Sequence, residues 1–346
     1  MGDPNFAHVV IDGSVLEGGG QILRNAVSLS VLAKKAVTIE KIRAGRPKPG
    51  LSPQHLTGLE LAALVSDAQL QGCISGSQQI TFKPKCIKTG EFEGDTKTAG
   101  SVALLAQITV PILAFGQHAS TLILKGGTDA SFAPPIDYLS EVCSYSHPVY
   151  KEVKVVVQPV APKLTPITLH EIGSISRVFG SAFVAGKVPI KVSKRPGFGI
   201  VISIFHLDAN RRTVFISILC PYVAEEMSAV ARRLFRNYLP ECPINISAFR
   251  APDNRFHGSV ATFFVRAGSC CDENMQDMLV LPMALADGKS SLRTTALTLH
   301  TQSAIYVAEK LLPVGFLLLY VFMFSSTRSY AQVSLYFTCL THFCAG

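Results

Sequence analysis

One acid, a run of arginines and a distant histidine carry most of the chemistry this chain can offer. The N-terminal part reads DGSVLEGGGQILR (12–24) and then IRAGRPKPGLSPQHL (42–56), and LTLHTQSAIYVAEK (297–310) holds His300. Three glycines ahead of a helix permit close backbone approach and leave free N–H groups pointing at an anion. No GK[ST] follows, so this is not a Walker loop, and it is not a dinucleotide fingerprint. Glu17 beside the glycines suits a hard divalent cation, which takes carboxylate and phosphate oxygens. A helix-dipole acid explains it equally well. Arg24, Arg43 and Arg46 fall close together, joined by Lys48, and guanidinium forks match phosphate oxygens in pairs. Arg24 lies one helical turn past the glycines and can share their face. Gln54 can add hydrogen bonds, while His55 reads as structural. His300 follows TALTL, which reads as a strand, and precedes a helix. Alone, one histidine among nine is a weak nucleophile, and His257 scores no better.

The elements that must position these residues are those of an α/β protein. Strands are expected at 8–11, 37–42, 78–84 and 121–126, and helices at 21–34, 55–68 and 101–115. GGTDASFAPPIDY (126–138) reads as a rigid loop whose Tyr138 could stack on a base, or as an ordinary surface loop. After about 150 the pattern changes. EVKVVVQPV (152–160) is strand-like, 159–166 is a Pro-rich linker, and 167–255 reads as a separate small α/β unit with a helix at 223–239. A helix at 275–287 and the His300 segment then return to the main domain.

Composition narrows the class. With 346 residues, 48% of them hydrophobic and 16% charged, the chain can build two cores and is not disordered. A net charge of +8 favours an anionic partner without choosing among nucleic acid, phosphate and membrane surface. Nine scattered cysteines, with no C-x-x-C pair and no signal peptide, point to reduced thiols inside a cell. LLPVGFLLLYVFMF (311–324) is shorter than the roughly 20 residues of a spanning helix and reads as a buried strand or core segment.

Six blocks in order, EGGGQILR, IRAGRPKPGL with PQHL, DTKTAGSVALLAQ, LKGGTDASFAPPIDY, MLVLPMALA and LTLHTQSAI, resemble the RNA 3′-terminal phosphate cyclase family, its eukaryotic branch in particular. The resemblance implies an α/β (α+β) fold: a large domain of repeated βαβαββ-type units with a small inserted α/β domain. It implies domain pieces at 1–160, 161–268 and 269–316, an irregular stretch at 194–221, and an atypical apolar tail at 317–346. It implies an ATP-dependent ligase with a covalent histidine–AMP intermediate, acting on RNA 3′-phosphate ends with Mg²⁺ or Mn²⁺, in the nucleus and away from membranes. By position, His300 becomes the nucleophile and Glu17 the metal and ATP residue. Gln107, Pro134, Tyr138 and Asp277 become the nucleotide pocket, and Arg24, Arg43, Arg46 and Gln54 the phosphate and RNA-end site.

Departures from the family pattern are also legible. A Tyr-Pro-x-Gly-Gly-Gly segment before the insert is absent, along with a helix and strand leading to it. Residues 194–221 match nothing in the family. A strand and long helix are missing after RFHGSVATFFVRAG. Asn274 and Met278 stand where a tyrosine and a glutamine are usual, and 317–346 replaces the closing strands. These losses keep an inactive isoform open. A non-catalytic cyclase-like ribosome-biogenesis factor is a second alternative, but that branch lacks the histidine. The related enolpyruvyl transferases do not carry the IRAGR and LHTQ blocks.

Overall fold

The computed structural model describes residues 7–98, 100–128, 130, 133–134, 136, 139, 152–160, 164–170, 175–185, 201–202, 213–217, 223–238, 240–241, 243–251, 258–267, 271, 273–294, 297–323 and 332–341. The chain divides into two compact units, Met1–Thr168 with Glu273–Gly346, and Leu169–Asp272.

The first unit is built by repetition. β1 (His8–Asp12), α1 (Gly20–Ala33), β2 (Ala36–Glu40), α2 (Pro53–Ser66), β3 (Gln69–Gln71) and β4 (Ile80–Lys83) form a four-stranded sheet in the order β1-β2-β4-β3. β1 and β2 are parallel because α1 crosses between them, and β4 runs antiparallel to both neighbours. β5 (Glu91–Asp95), α3 (Val102–Ala114), β6 (Ser120–Lys125) and β7 (Glu152–Val157) repeat the start of that pattern, in the order β5-β6-β7. β5 and β6 are parallel and β7 is antiparallel to β6. β7 therefore takes the place β4 holds in the first sheet. Between β6 and β7 the described Ile136 and Leu139 are helical and buried.

A third repeat closes the unit. β8 (Thr168–Leu169), β14 (Ser290–Thr294), β15 (Val314–Met323) and β16 (Gln332–Thr341) lie in the order β15-β16-β14-β8. Two helices, α5 (Glu273–Leu285) and α6 (Leu299–Leu311), lie on either side of β14 in sequence. The order matches the first sheet strand for strand. The intervening unit is thus inserted between the first strand and first helix of the third repeat. Tail residues read as replacing the closing strands instead supply them, as the β15–β16 hairpin paired from Val314↔Thr341 to Met323↔Gln332.

Helix α1 sits at the centre. Every residue from Gln21 to Val31 is buried, and α1 packs against α2, α3 and α6. A helix buried on all sides must satisfy its polar groups internally. Ser28 Oγ does so by donating to the Arg24 carbonyl at 2.9 Å or the Ile108 carbonyl at 2.8 Å, which stitches α1 to α3. Ile11, Ile22, Leu29, Ile39, Leu59, Ile80 and Phe82 fill the core beside it, all under 2% exposed.

In the second unit β9 (Ile175–Ala185), β10 (Val201–Ile202), β11 (Thr213–Ser217), β12 (Ile244–Ala251) and β13 (Gly258–Ala267) form one sheet in the order β10-β11-β13-β9-β12. α4 (Val223–Tyr238) packs on it through Ala231 and Phe235. Arg232 Nη2 donates to the Ile246 carbonyl at 2.6 Å. β11 falls inside 194–221, the stretch expected to be irregular, yet it pairs along β13 as an interior strand.

Two expectations change. Of TALTL (295–299), Thr295 and Ala296 lie outside the described residues, and the rest is not strand: Leu297 and Thr298 lead into α6, which begins at Leu299, while β14 covers Ser290–Thr294. The Thr298 hydroxyl accepts from the Thr301 N–H at 3.1 Å and caps the helix, and a capping threonine overrides local strand propensity. The 311–324 run does form a strand, but an edge one: Leu317, Leu318 and Leu319 are 48%, 38% and 48% exposed. No helix among the described residues is long and apolar enough to cross a membrane. An uncharged apolar edge is open to pairing with another chain. Leu318→Lys is expected to lower concentration-dependent light scattering while changing unfolding free energy by less than about 0.5 kcal/mol. Unchanged scattering would show that β15 is not the sticky edge.

Candidate active site

The glycine run places an acid over a helix end. Gly18 takes a left-handed φ of 56°, and the chain turns so that the Glu17 carboxylate folds back over Gly19. A Cβ on Gly19 would overlap that carboxylate. One on Gly20 would lie 2.8 Å from His55 Nε2 and 3.0 Å from Arg24 Nη1. These two positions must lack side chains for acid, histidine and arginine to converge on the start of α1. That helix begins at Gly20 with no side-chain cap, so its first N–H groups face the same place.

Glu17 then meets two segments. Arg46 donates through Nη2 to Glu17 Oε1, and to the Glu17 backbone carbonyl at 3.1 Å. Glu17 Oε2 faces His300 Nδ1 at 3.9 Å, near the N-terminus of α6. That oxygen is buried and has no hydrogen-bond partner. The His300 side chain remains half exposed. Burial holds the His300 pKa below its ordinary value; Glu17 opposes the shift, and Arg24 and Arg46 reinforce it. The imidazole is therefore neutral at pH 7. With Nδ1 turned to the carboxylate, the lone pair of a neutral ring is available at Nε2.

Arg24 is a buried charge. Burial lowers its pKa, and the carboxylates of Asp277 on α5 and Glu17 oppose that. Its Nη2 donates to Gln21 Oε1, while Nε has no hydrogen-bond partner. Arg24 also lines a cavity of about 240 Å³ between α3 and α5. Gln21, Asn25, Gln107 and Asp277 make its polar end, and Val110, Pro111, Phe115, Met278, Leu281 and Pro282 are among its apolar walls.

The structure thus brings Glu17, Arg24, Arg46 and His300 together, and places Gln107 and Asp277 on the cavity that Arg24 shares. Other candidates lie differently. Arg43 Nη1 donates to the Gly50 carbonyl at 2.9 Å and closes its own loop. Gln54 Oε1 accepts from the Ser101 N–H at 3.0 Å and fixes the start of α3. Pro134 is buried in the segment after β6 but is not among the cavity's lining residues. Tyr138 and His257 lie outside the described residues. His55 is held by Ser52, whose N–H donates to Nδ1 at 3.2 Å. Burial, with Arg24 and Arg43 nearby, pushes its pKa down to about 4.

Glu17 is a single carboxylate. Among the described residues no three His, Cys, Asp or Glu side chains gather as a metal site. Glu17 Oε2 nonetheless fits one ligand position of a magnesium-like ion, which keeps several waters and takes one or two carboxylates plus substrate phosphates.

Sequence reading missed Gln276. It is fully buried; its Oε1 accepts from the Thr298 N–H at 3.1 Å and the Thr301 hydroxyl at 2.6 Å, and its Nε2 donates to Thr294 Oγ1. One amide therefore ties α5 to the end of β14 and the cap of the His300 helix. Its only signal in sequence was a polar residue inside an apolar helix. Gln276→Leu leaves these groups unpaired and is expected to cost on the order of 3 kcal/mol in denaturant unfolding. A loss below about 1 kcal/mol would show that water replaces the amide.

The low His55 pKa carries a second expectation. The unfolded histidine binds a proton below its ordinary value of 6.5, whereas the folded one does so only below about 4. Stability therefore falls as pH drops from 6.5 towards 4, by roughly 3 kcal/mol in total. Urea unfolding at pH 7 and pH 5 should show the loss, and His55→Gln should flatten it.

Sequence comparisons converge on one family. A family model described as RNA 3′-terminal phosphate cyclase matches residues 15–318. An RNA 3′-terminal phosphate cyclase of Pyrobaculum neutrophilum is 36% identical over 333 residues, covering 89% of this chain and 94% of its own length. One from Drosophila melanogaster is 35% identical over 330 residues, covering 88% and 91%. One from Archaeoglobus fulgidus reaches 51% identity over 134 residues, 39% of this chain.

Proposed function

The chain belongs to the RNA 3′-terminal phosphate cyclase family, and from that premise we propose that it uses ATP to convert an RNA 3′-terminal phosphate into a 2′,3′-cyclic phosphate. The observation that carries this reading is the neutral His300 set beside Glu17, within the influence of Arg24 and Arg46.

His300 Nε2 attacks the α-phosphorus of ATP. A P–N bond forms as the bond to the β-phosphate oxygen breaks, and pyrophosphate leaves. The neutral ring is the nucleophilic form, and Glu17 stabilises the imidazolium character that develops on Nδ1. Arg24, Arg46 and the free N–H groups of α1 hold the phosphates in place. A Mg²⁺ or Mn²⁺ bound through Glu17 Oε2 would supply charge neutralisation on the phosphate oxygens.

AMP then passes to the RNA end. An oxygen of the 3′-phosphate attacks the same phosphorus, the P–N bond breaks, and His300 is released neutral. The vicinal 2′-hydroxyl attacks the activated 3′-phosphate, loses its proton, and displaces AMP to leave the cyclic ester. Two modest steps replace one hard one.

Incubation with α-³²P-ATP and Mg²⁺ or Mn²⁺ tests the first step. The wild type is expected to carry an acid-labile, alkali-stable label and His300→Ala to carry none. Because burial lowers the His300 pKa, labelling should persist below pH 6.5, the ordinary histidine value. Absence of label on folded protein would overturn the enzymatic reading.

A further inference from the structure

Asn25 is a polar side chain that neither the fold nor the mechanism above uses. It lies one residue past Arg24 on α1, the helix buried along its whole middle. It is 6% exposed. Its Nδ2 is buried and has no hydrogen-bond partner. An amide donor left this way in an apolar interior costs about 1–3 kcal/mol. Serines on the same helix are satisfied, as Ser28 is by the Arg24 or Ile108 carbonyl. The amide is not facing packed hydrocarbon either. Asn25 lines the 240 Å³ cavity together with Gln21 and Arg24, and the spacing of these three, i, i+3 and i+4, puts them on one face of the helix.

The opposite walls of the cavity supply complementary groups. α3 and α5 each carry an internal proline, Pro111 and Pro282. A proline lacks the N–H that a helix would donate four residues back. The carbonyls left without that donor belong to Gln107 and Met278, and both residues line the cavity. Apart from Asp277, the remaining walls are apolar and would cover the faces of a flat ring. An apolar slot with a few convergent donors and acceptors is the usual form of a small-molecule site. Arg24 joins the polar end of this slot to the Glu17–His300 cluster, where the phosphates would lie.

We propose that Asn25 is a specificity residue for the nucleoside half of the nucleotide, its side-chain amide donating to an acceptor of the base or ribose inside the α3–α5 cavity. This rests on the nucleotide-dependent reading above and adds a residue to it. The amide recognises the nucleoside and not the phosphates, so the two halves of the ligand respond differently to its loss.

Calorimetric titration of the full chain with ATP and, separately, with inorganic tripolyphosphate tests this. Asn25→Leu removes the donor at similar volume, and Asn25→Ala removes it without adding a charge beside Arg24. Both are expected to weaken ATP binding about tenfold, the effect of one lost buried hydrogen bond. Tripolyphosphate binding should stay within about twofold of the wild type, since a variant with no lost contact to it shifts affinity little. Unchanged ATP affinity in both variants overturns the proposal. Equal weakening of both ligands also overturns it, because Asn25 then only supports the helix. A wild type that binds ATP no better than tripolyphosphate removes the nucleoside site itself. A wild type that binds ATP and yet takes no label from it breaks the enzymatic reading while leaving the Asn25 assignment to the affinity comparison. If Asn25→Leu fails to fold, Asn25→Ala decides alone.

Discussion

A guanidinium in the middle of a fully buried helix must be balanced or it unfolds what surrounds it, and Arg24 imposes that condition here. A lone charge taken out of water costs several kcal/mol. Two carboxylates answer it, Glu17 ahead of α1 and Asp277 on α5. They come from the first and third repeats of the unit. The balance is struck only when those repeats close around α1, so the electrostatics of the site and the assembly of the fold are one event. The Arg24 Nε that remains unpartnered is left over for a further anion.

Repetition sets how the helices meet. In the first repeat α2 packs against α1 and α3; in the third, α6 packs against α5 and α1. In both of these repeats the second helix thus bridges two first helices. The 240 Å³ cavity lies between α3 and α5, and Leu139, helical and buried in the segment after β6, is one of its lining residues. Its polar end is the cluster that Gln21, Arg24 and Asn25 form on α1.

The sequence exposed some of this and hid the rest for physical reasons. Amphipathic and glycine signals located α1, α2 and α3, and the convergence of Glu17, Arg24 and Arg46 followed from local spacing. His300 joins them from nearly three hundred residues away, which no periodicity reveals; only family blocks linked it to Glu17. Arg43 and Gln54 read as ligands because polar residues beside a glycine-rich turn look available. In the structure each spends a hydrogen bond on backbone, at the Gly50 carbonyl and the Ser101 N–H. β15 was legible as a strand but not as an edge, and β16 was hidden, because apolar runs carry no period when both faces or neither face is buried. The pairing of β16 between β14 and β15 gave them their identity.

Positioning of His300 depends on α6 being held at both ends. Gln276 and the Thr298 cap fix the N-terminal end. At the other end Lys35 Nζ donates to the Leu311 carbonyl at 2.8 Å, a cation on a helix C-terminus. Lys35 belongs to the turn after α1, the same helix that carries Arg24. His300 and the buried guanidinium are therefore tied to one another twice, through Glu17 at the site and through Lys35 at the far end. The His300 imidazole is therefore placed by a helix packed against α1 and α5 and held at both ends, not by a loop.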